Sequence, residues 1–257
     1  MINTYTSYQL ITRDMDVSLK RVQSQPMVQR ETEYYLANIT KVKSIDEFLA
    51  DDRLFNYAMK AHGLEDMAYA KAFMRKALEE GLEERDAFAN RLTDSRYKNF
   101  VETFNFVRHG ENTTVFDRTQ QGTVDKYLRQ TLEEDAGTEN EGVRLALYFE
   151  RNAPKIDSYF GILGDPAIAT VVRTMLGLPD AIAQMDIDKQ AALMKSRLDI
   201  EDFKDPEKLS DLINRFTTLW EVNNPSTPQQ SMITTLFQPV QFGISPDVLL
   251  TIARMKR

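Results

Sequence analysis

The chain of 257 residues contains no cysteine and only two histidines. Without thiols there are no disulfides, thiolate metal ligands or thiol nucleophiles, and two imidazoles leave zinc short of its usual nitrogen and sulfur ligands. Ten glycines and nine prolines are few for this length, which leaves long stretches free for regular structure and argues against a turn-dense all-β protein. No segment approaches ~20 uninterrupted apolar residues, and the opening MINTYTSYQLITRDMD lacks a basic start followed by an apolar run. Neither a membrane span nor a Sec signal peptide is therefore expected, and the Asn38-Ile-Thr40 and Asn112-Thr-Thr114 sequons are read as chance.

What is present is 42% hydrophobic residues, enough for a substantial core. The 32 basic and 39 acidic side chains give a net charge of -7, so the chain as a whole is repelled by phosphate backbones and anionic headgroups, and nucleic acid is not an expected partner. The charge is uneven. Residues 1–43 and 222–257 each carry a net +2, which leaves -11 on residues 44–221.

Helix-start chemistry recurs. An aspartate N-cap accepts from the first free backbone N–H groups and tolerates proline directly after it. Asp51, Asp94, Asp165-Pro166 and Asp205-Pro206 fit this description. Each precedes an apolar stripe at helical spacing: Leu54/Phe55/Ala58/Met59, Tyr97/Phe100/Val101/Phe104, Ile168/Val171/Val172/Met175 and Leu209/Leu212/Ile213/Phe216. The first two aspartates are 43 residues apart, the last two 40, and the pairs are offset by 114 and 111. Ile45-Asp46 and Ile156-Asp157 precede the two halves, and Gly63-Leu64 matches Gly177-Leu178, where glycine would close a helix in the left-handed conformation. The expected fold is all-α: a duplicated helical unit, two related multi-helix units packed together, with flexible termini.

The expected organisation is an N-terminal helical or flexible segment (1–43), a first helical unit (44–106), a polar connector with a short helix near 124–132 (107–142), a second helical unit (143–221), and an uncharged linker with a C-terminal amphipathic helix (222–257). Ser44 to Glu47 reads as a capping box. Residues 222–246 contain no charge, and Val28, Tyr35, Ile39 near one end and Phe237, Phe242, Val248, Leu249, Ile252 near the other are the candidate partner contacts. Uncharged, partly apolar sequence of this kind is a poor independent core and can order against a partner.

One catalytic motif competes. Arg108-His109-Gly110-Glu111 resembles the Arg-His-Gly-Glu box of histidine phosphatases and phosphoglycerate mutases, in which the histidine is phosphorylated. The context disagrees: the box follows a helical stripe in mid-chain, the other histidine, His62, lies upstream, and no strand–helix alternation follows. His109 is read instead as a loop residue just after a helix C-terminus, where a cationic side chain suits the dipole. Asp186-Ile-Asp188 lacks the glycine an EF-hand needs and is read as a helix cap. Trp220 and the Phe100/Phe104/Phe106 cluster are read as core. No catalytic, metal or cofactor site is expected, no cofactor, and no enzymatic activity.

The string IDEFLADDRLFNYAMKAHGLEDMAYAKAFMRKALEEG (45–81), LTDSRYKNFVETFNF (92–106), MDIDKQAALMKSRLDIEDFKDPEKLSDLINRFTTLW (185–220), the start RETEYY (30–35) and the ending GISPDVLL (243–250) resemble the domain-of-unknown-function family 1217 of alphaproteobacteria. Members are commonly encoded among flagellar genes, so the resemblance implies a flagellum-associated role without a biochemical activity and carries no catalytic residues. The expected function is a non-enzymatic structural or assembly protein acting through contacts with other proteins, flagellar components above all. A cytoplasmic chaperone-like adaptor or regulator of flagellar export is the alternative. The expected location is cytoplasmic or flagellum-associated, by type III export without a cleaved signal. Against an axial subunit, sustained terminal heptads are absent and Pro26 interrupts the N-terminal helix.

Overall fold

Each aspartate expected to start a helix does so. Asp51 Oδ1 accepts from the N–H groups of Arg53 and Leu54, both at 3.0 Å, and Asp165 Oδ1 from Ala167 at 3.0 Å and Ile168 at 3.1 Å. Asp94 accepts from Arg96 N, and Asp205 from Glu207 N and Lys208 N. These caps satisfy amides that the helix itself leaves open. Ser44 Oγ accepts from Glu47 N at 3.2 Å while the Glu47 carboxylate reaches back to Lys43 N, the reciprocal arrangement of a capping box shifted by one residue.

The computed structural model describes residues 3–224. The helices run α1 (Thr4–Thr12), α2 (Met15–Gln23), α3 (Pro26–Ile39), α4 (Ile45–Ala50), α5 (Asp52–Ala61), α6 (Lys71–Glu80), α7 (Phe88–Arg91), α8 (Ser95–Thr103), α9 (Phe106–His109), α10 (Gln121–Glu139), α11 (Glu141–Asn152), α12 (Tyr159–Gly164), α13 (Pro166–Met175), α14 (Ile187–Lys195) and α15 (Pro206–Asn223), joined by short 3₁₀ turns. The fold is all-α, and no strand occurs among the described residues. No helix there is long and apolar enough to cross a membrane.

Two hydrophobic clusters form the interior. The first gathers α3–α8 and the start of α10 around Tyr35, Phe48, Phe55, Phe100 and Phe104, with Phe48 and Phe104 stacked at 4.8 Å. The second gathers α11–α15 around Phe149, Val172, Met175, Phe203 and Phe216. Several contacts recur 114 residues apart. Tyr34 Oη donates to Asp51 Oδ2 at 2.8 Å, and Tyr148 Oη to Asp165 Oδ2 at 2.7 Å. Asn38 Nδ2 donates to Tyr34 O, and Asn152 Nδ2 to Tyr148 O. Gly63 and Gly177 both take positive φ, 68° and 64°, at the end of α5 and α13, where a side chain would be strained.

Three expectations need correction. Residues 4–39 form three helices that split between the clusters instead of making a separate segment: Tyr8 of α1 packs into the second, Val22, Val28 and Tyr35 into the first. The connector holds not a short helix over 124–132 but the 19-residue α10, whose polar end extends because Val124, Leu128 and Leu132 are buried while α5 and α11 pack against it. Tertiary burial overrides the weak helical preference of AGTENEG. Gly142 permits the next close approach, since a Cβ there would meet Trp220 Cδ1 at 2.3 Å.

The rest of the connector is polar in sequence yet interior. Thr113, Thr114, Thr119 and Thr123 are fully buried. Their hydroxyls donate to backbone carbonyls, including Thr114 Oγ1 to Val42 O at 2.8 Å and Thr123 Oγ1 to Arg118 O at 2.9 Å. Buried hydroxyls are tolerated when each finds an acceptor.

Between the clusters sits a charge network. Glu133, 1% exposed, accepts from Arg129 Nε (3.1 Å), Arg151 Nε (2.8 Å) and Arg151 Nη2 (2.7 Å). Arg129 also reaches Glu150 and Leu147 O, and Arg151 reaches Gln130 Oε1. The network ties α10 to α11, the helices through which the two clusters join.

Candidate functional site: the face of the amino-terminal helices

The Arg-His-Gly-Glu box does not assemble a phosphate cradle. Arg108 is committed to Glu83 in a two-pronged pair, with Nε and Nη2 each at 2.8 Å from its oxygens, the geometry that best satisfies a guanidinium. His109 ends α9 and lays its ring edge-on to Phe116 at 4.8 Å. Partial burial first, then Arg118 and Arg108, hold its pKa below the usual histidine range, so at neutral pH it is uncharged and does not act as the dipole-matched cation expected from its position. His62 occupies different surroundings, capping α5 against Phe100.

The acidic pairs resolve as caps: Asp186 Oδ1 accepts from Asp188 N and Lys189 N at the start of α14. Among the described residues no group of three or more His, Asp or Glu could hold a metal ion. The aromatic clusters are core, apart from Trp220, which lies half-buried beside Phe216 at 5.7 Å.

The candidate partner contacts divide. Val28, Tyr35 and Ile39 are 3%, 0% and 0% exposed. Tyr35 stacks on Tyr57 at 4.4 Å and donates its hydroxyl to Thr119 O at 2.6 Å, and burial raises its pKa. These three side chains build the core and have no surface to offer a partner. The helical stripe was real, but it faces inward, as an amphipathic stripe usually does. Phe237, Phe242, Val248, Leu249 and Ile252 lie outside the described residues.

What the same helices expose is a different set. Tyr5 and Leu10 on α1, Val17 on α2, and Met27 and Leu36 on α3 are solvent-facing, with Leu10, Val17 and Met27 more than half exposed. Asn3 caps α1 and Asp14 caps α2, and Pro26 starts α3, so rigid helices present these residues. Leu10 lines a groove of about 590 Å³ between α1, α2 and α10, floored by Ile11, Val22, Leu132 and Ala136. At its rim Gln25 Nε2 donates to Asp135 Oδ2 at 2.7 Å. Sequence inspection could have found this face: Met27 and Leu36 are apolar residues off the 28/35/39 stripe of α3. α1 is held at the other half by Thr4, whose N–H and hydroxyl both donate to Glu221 Oε2 on α15.

The sequence model of a family described as "Protein of unknown function (DUF1217)" matches residues 61–209. Among solved structures, a crystal structure of protein AGR_C_984 from Agrobacterium tumefaciens is similar to this chain, with 53% sequence identity and a TM-score of 0.81 over 86% of this chain and 94% of that one. No curated protein matches.

Proposed function

The chain belongs to this family of unknown function, DUF1217, and on that premise we propose that it is a non-enzymatic, flagellum-associated structural or assembly protein that works through protein–protein contacts. The observation that carries the reading is the apolar row on α1–α3 beside the groove. Scattered apolar residues are normal on a surface, but a row on consecutive, individually capped helices next to an apolar groove is the shape a protein partner recognises. The scaffold is read on the same footing as two copies of one helical unit, supported by the Tyr–Asp and Asn–Tyr contacts repeated 114 residues apart. The tie to flagella rests on the company that the genes of this family keep.

The test combines gene deletion with a motility assay and electron microscopy of flagella, then complementation with Leu10→Glu and Met27→Glu. These substitutions are on exposed positions and should leave the fold intact. Loss of motility or malformed filaments on deletion, not restored by the charged variants, supports the reading. Normal swimming and normal filaments in the deletion strain would sink it. Recovery of an export component from cytosol with this protein, with none in purified flagella, would transfer the role to an adaptor of export.

A further inference from the structure

Positive charge collects at one point of this acidic protein. The end of α5, the end of α8, the middle of α10 and the turn after α11 meet around Lys126. Its Nζ lies 3.1 Å from Thr103 Oγ1 and 3.4 Å from His62 Nε2. The Thr103 hydroxyl donates to Asn99 O at 2.9 Å, so its oxygen is left to accept from the ammonium. Lys155 stands on the turn Ala153–Lys155, its only close polar partner being Asn152 Oδ1 at 3.3 Å. Arg151 closes the set from α11, already engaged by Glu133 and Gln130.

The arrangement is unusual because it is unbalanced. Half-buried cations elsewhere in the chain meet carboxylates directly: Lys60 meets Glu134, Arg96 meets Asp94, Arg129 meets Glu133. Among the described residues, no carboxylate comes within 4.0 Å of Lys126 or Lys155. The acidic groups that face them are Glu102, exposed on α8, and Glu133, already shared between two arginines. Burial first, and then Lys155, hold the Lys126 ammonium down to about 8. Lys155 is lowered by burial and Arg151. His62 is lowered well below the histidine range by burial, Lys126, Arg151 and Lys155. Such mutual repulsion costs the native state stability. An anion seated between the two ammonium groups removes that cost and gains charge-assisted hydrogen bonds. Lys126 and His62 are half-buried and Lys155 is exposed, so the place is open to solvent.

We propose that Lys126 and Lys155, with the edge of His62, form a binding site for a phosphate-class oxyanion at the junction of the two hydrophobic clusters. The site is separate from the Arg108-His109 box and from the apolar face of α1–α3, and it stands whether or not the flagellar reading holds. Two ammonium groups supply donors without the planar fork of arginine, which suits a compact tetrahedral oxyanion. Binding favours the charged form of Lys126, so affinity is greatest below about pH 8 and falls as the pH rises above it, with proton uptake on binding in that upper range.

The two histidines make the experiment clean. Imidazole resonances of the full chain are followed by NMR while inorganic phosphate replaces chloride at constant ionic strength, at pH 7 and again at pH 9.5. The expected result is a saturable shift of the His62 signals with His109 unmoved, weaker at pH 9.5. Affinity should drop by about tenfold or more in Lys126→Met and in Lys155→Met, and stay unchanged in Lys20→Met, a surface control on α2. Lys155 is exposed, so its variant folds even if the Lys126 variant does not. No saturable His62 shift, equal shifts at both histidines, or undiminished affinity in Lys155→Met would overturn the proposal.

Discussion

Truncation of Glu133 to alanine tests how the two halves are held together. The carboxylate is 1% exposed and accepts three hydrogen bonds, one from Arg129 and two from Arg151, whose side chains are themselves only 15% and 22% exposed. Removing one member of a buried ionic network costs about 3–5 kcal/mol, chiefly because the surviving charges stay buried without their partner. Here both guanidiniums keep something: Arg129 retains Glu150 Oε2 at 3.1 Å and Leu147 O at 3.3 Å, and Arg151 retains Gln130 Oε1 at 3.1 Å. The expected loss is therefore at the low end, about 3 kcal/mol, which for a chain of this size lowers Tm by roughly 6–12 °C. Urea unfolding followed by far-UV circular dichroism and by fluorescence of Trp220, the single tryptophan, measures it. Trp220 reports on the second cluster and dichroism on the whole chain, so the two curves should coincide in the parent and separate in Glu133→Ala if the network couples the clusters. Replacing the network together, Arg129→Met with Glu133→Leu and Arg151→Met, should recover more than half of the loss, because a packed apolar set carries no uncompensated charge. A loss below about 1 kcal/mol in Glu133→Ala, the range of a surface pair, would refute the coupling.

Thr114→Val should cost about 1–2 kcal/mol in the same denaturation assay, since it leaves Val42 O buried without the donor now 2.8 Å away. Gly142→Ala should cost about 1–3 kcal/mol and change Trp220 fluorescence, because the added methyl enters the indole's place; an unshifted emission spectrum would contradict the close approach. Stability should also fall as pH drops. His62 is held well below its ordinary value of 6.5 by burial and by Lys126, Arg151 and Lys155, so below about pH 6.5 the unfolded chain takes up a proton that the folded one refuses. His62→Gln should flatten that part of the stability profile between pH 7 and 5, and an unchanged slope would count against the assigned environment.

The helix starts were legible because the cap is local: an aspartate, the next two or three amides and an apolar stripe lie within one turn, and all four caps form as read. The histidine motif was rejected on context, and the structure gives the physical particulars in the Arg108–Glu83 pair and the Phe116 contact. What the stripe could not reveal was direction. Val28, Tyr35 and Ile39 were taken for a partner face because the first 43 residues looked too polar for a core, yet α10 and α5 supply the apolar surface that they bury against. The threonine-rich connector misled for the opposite reason. Its hydroxyls look solvent-loving one residue at a time, and only the fold brings each to a free carbonyl such as Val42 O, 72 residues away along the chain. The Glu133 network was equally invisible, since its arginines come from two helices whose antiparallel contact is set by Gly142 and Trp220.

One contact, used twice, shows how the halves diverge. Around Tyr34–Asp51, the Arg53 guanidinium lies 4.0 Å from the Tyr34 ring centroid and pairs with Glu31 at 2.8 Å, so the charge is settled within that half. At the position 114 residues on, Arg53 is replaced by Ala167, and the Tyr148–Asp165 pair has no arginine of its own. Arg96, from α8 in the other half, takes the place: it faces the groove lined by Tyr148 and Asp165 while bonding Asp94 and Gly63 O. The same tyrosine–aspartate hydrogen bond is therefore an internal fastening in one half and part of the seam in the other. Losing a single cation from α13 turned its cap toward α8, and that asymmetry leaves the seam acidic on one side, at Glu65, Asp66 and Asp165, and cationic on the other, at Lys126 and Lys155.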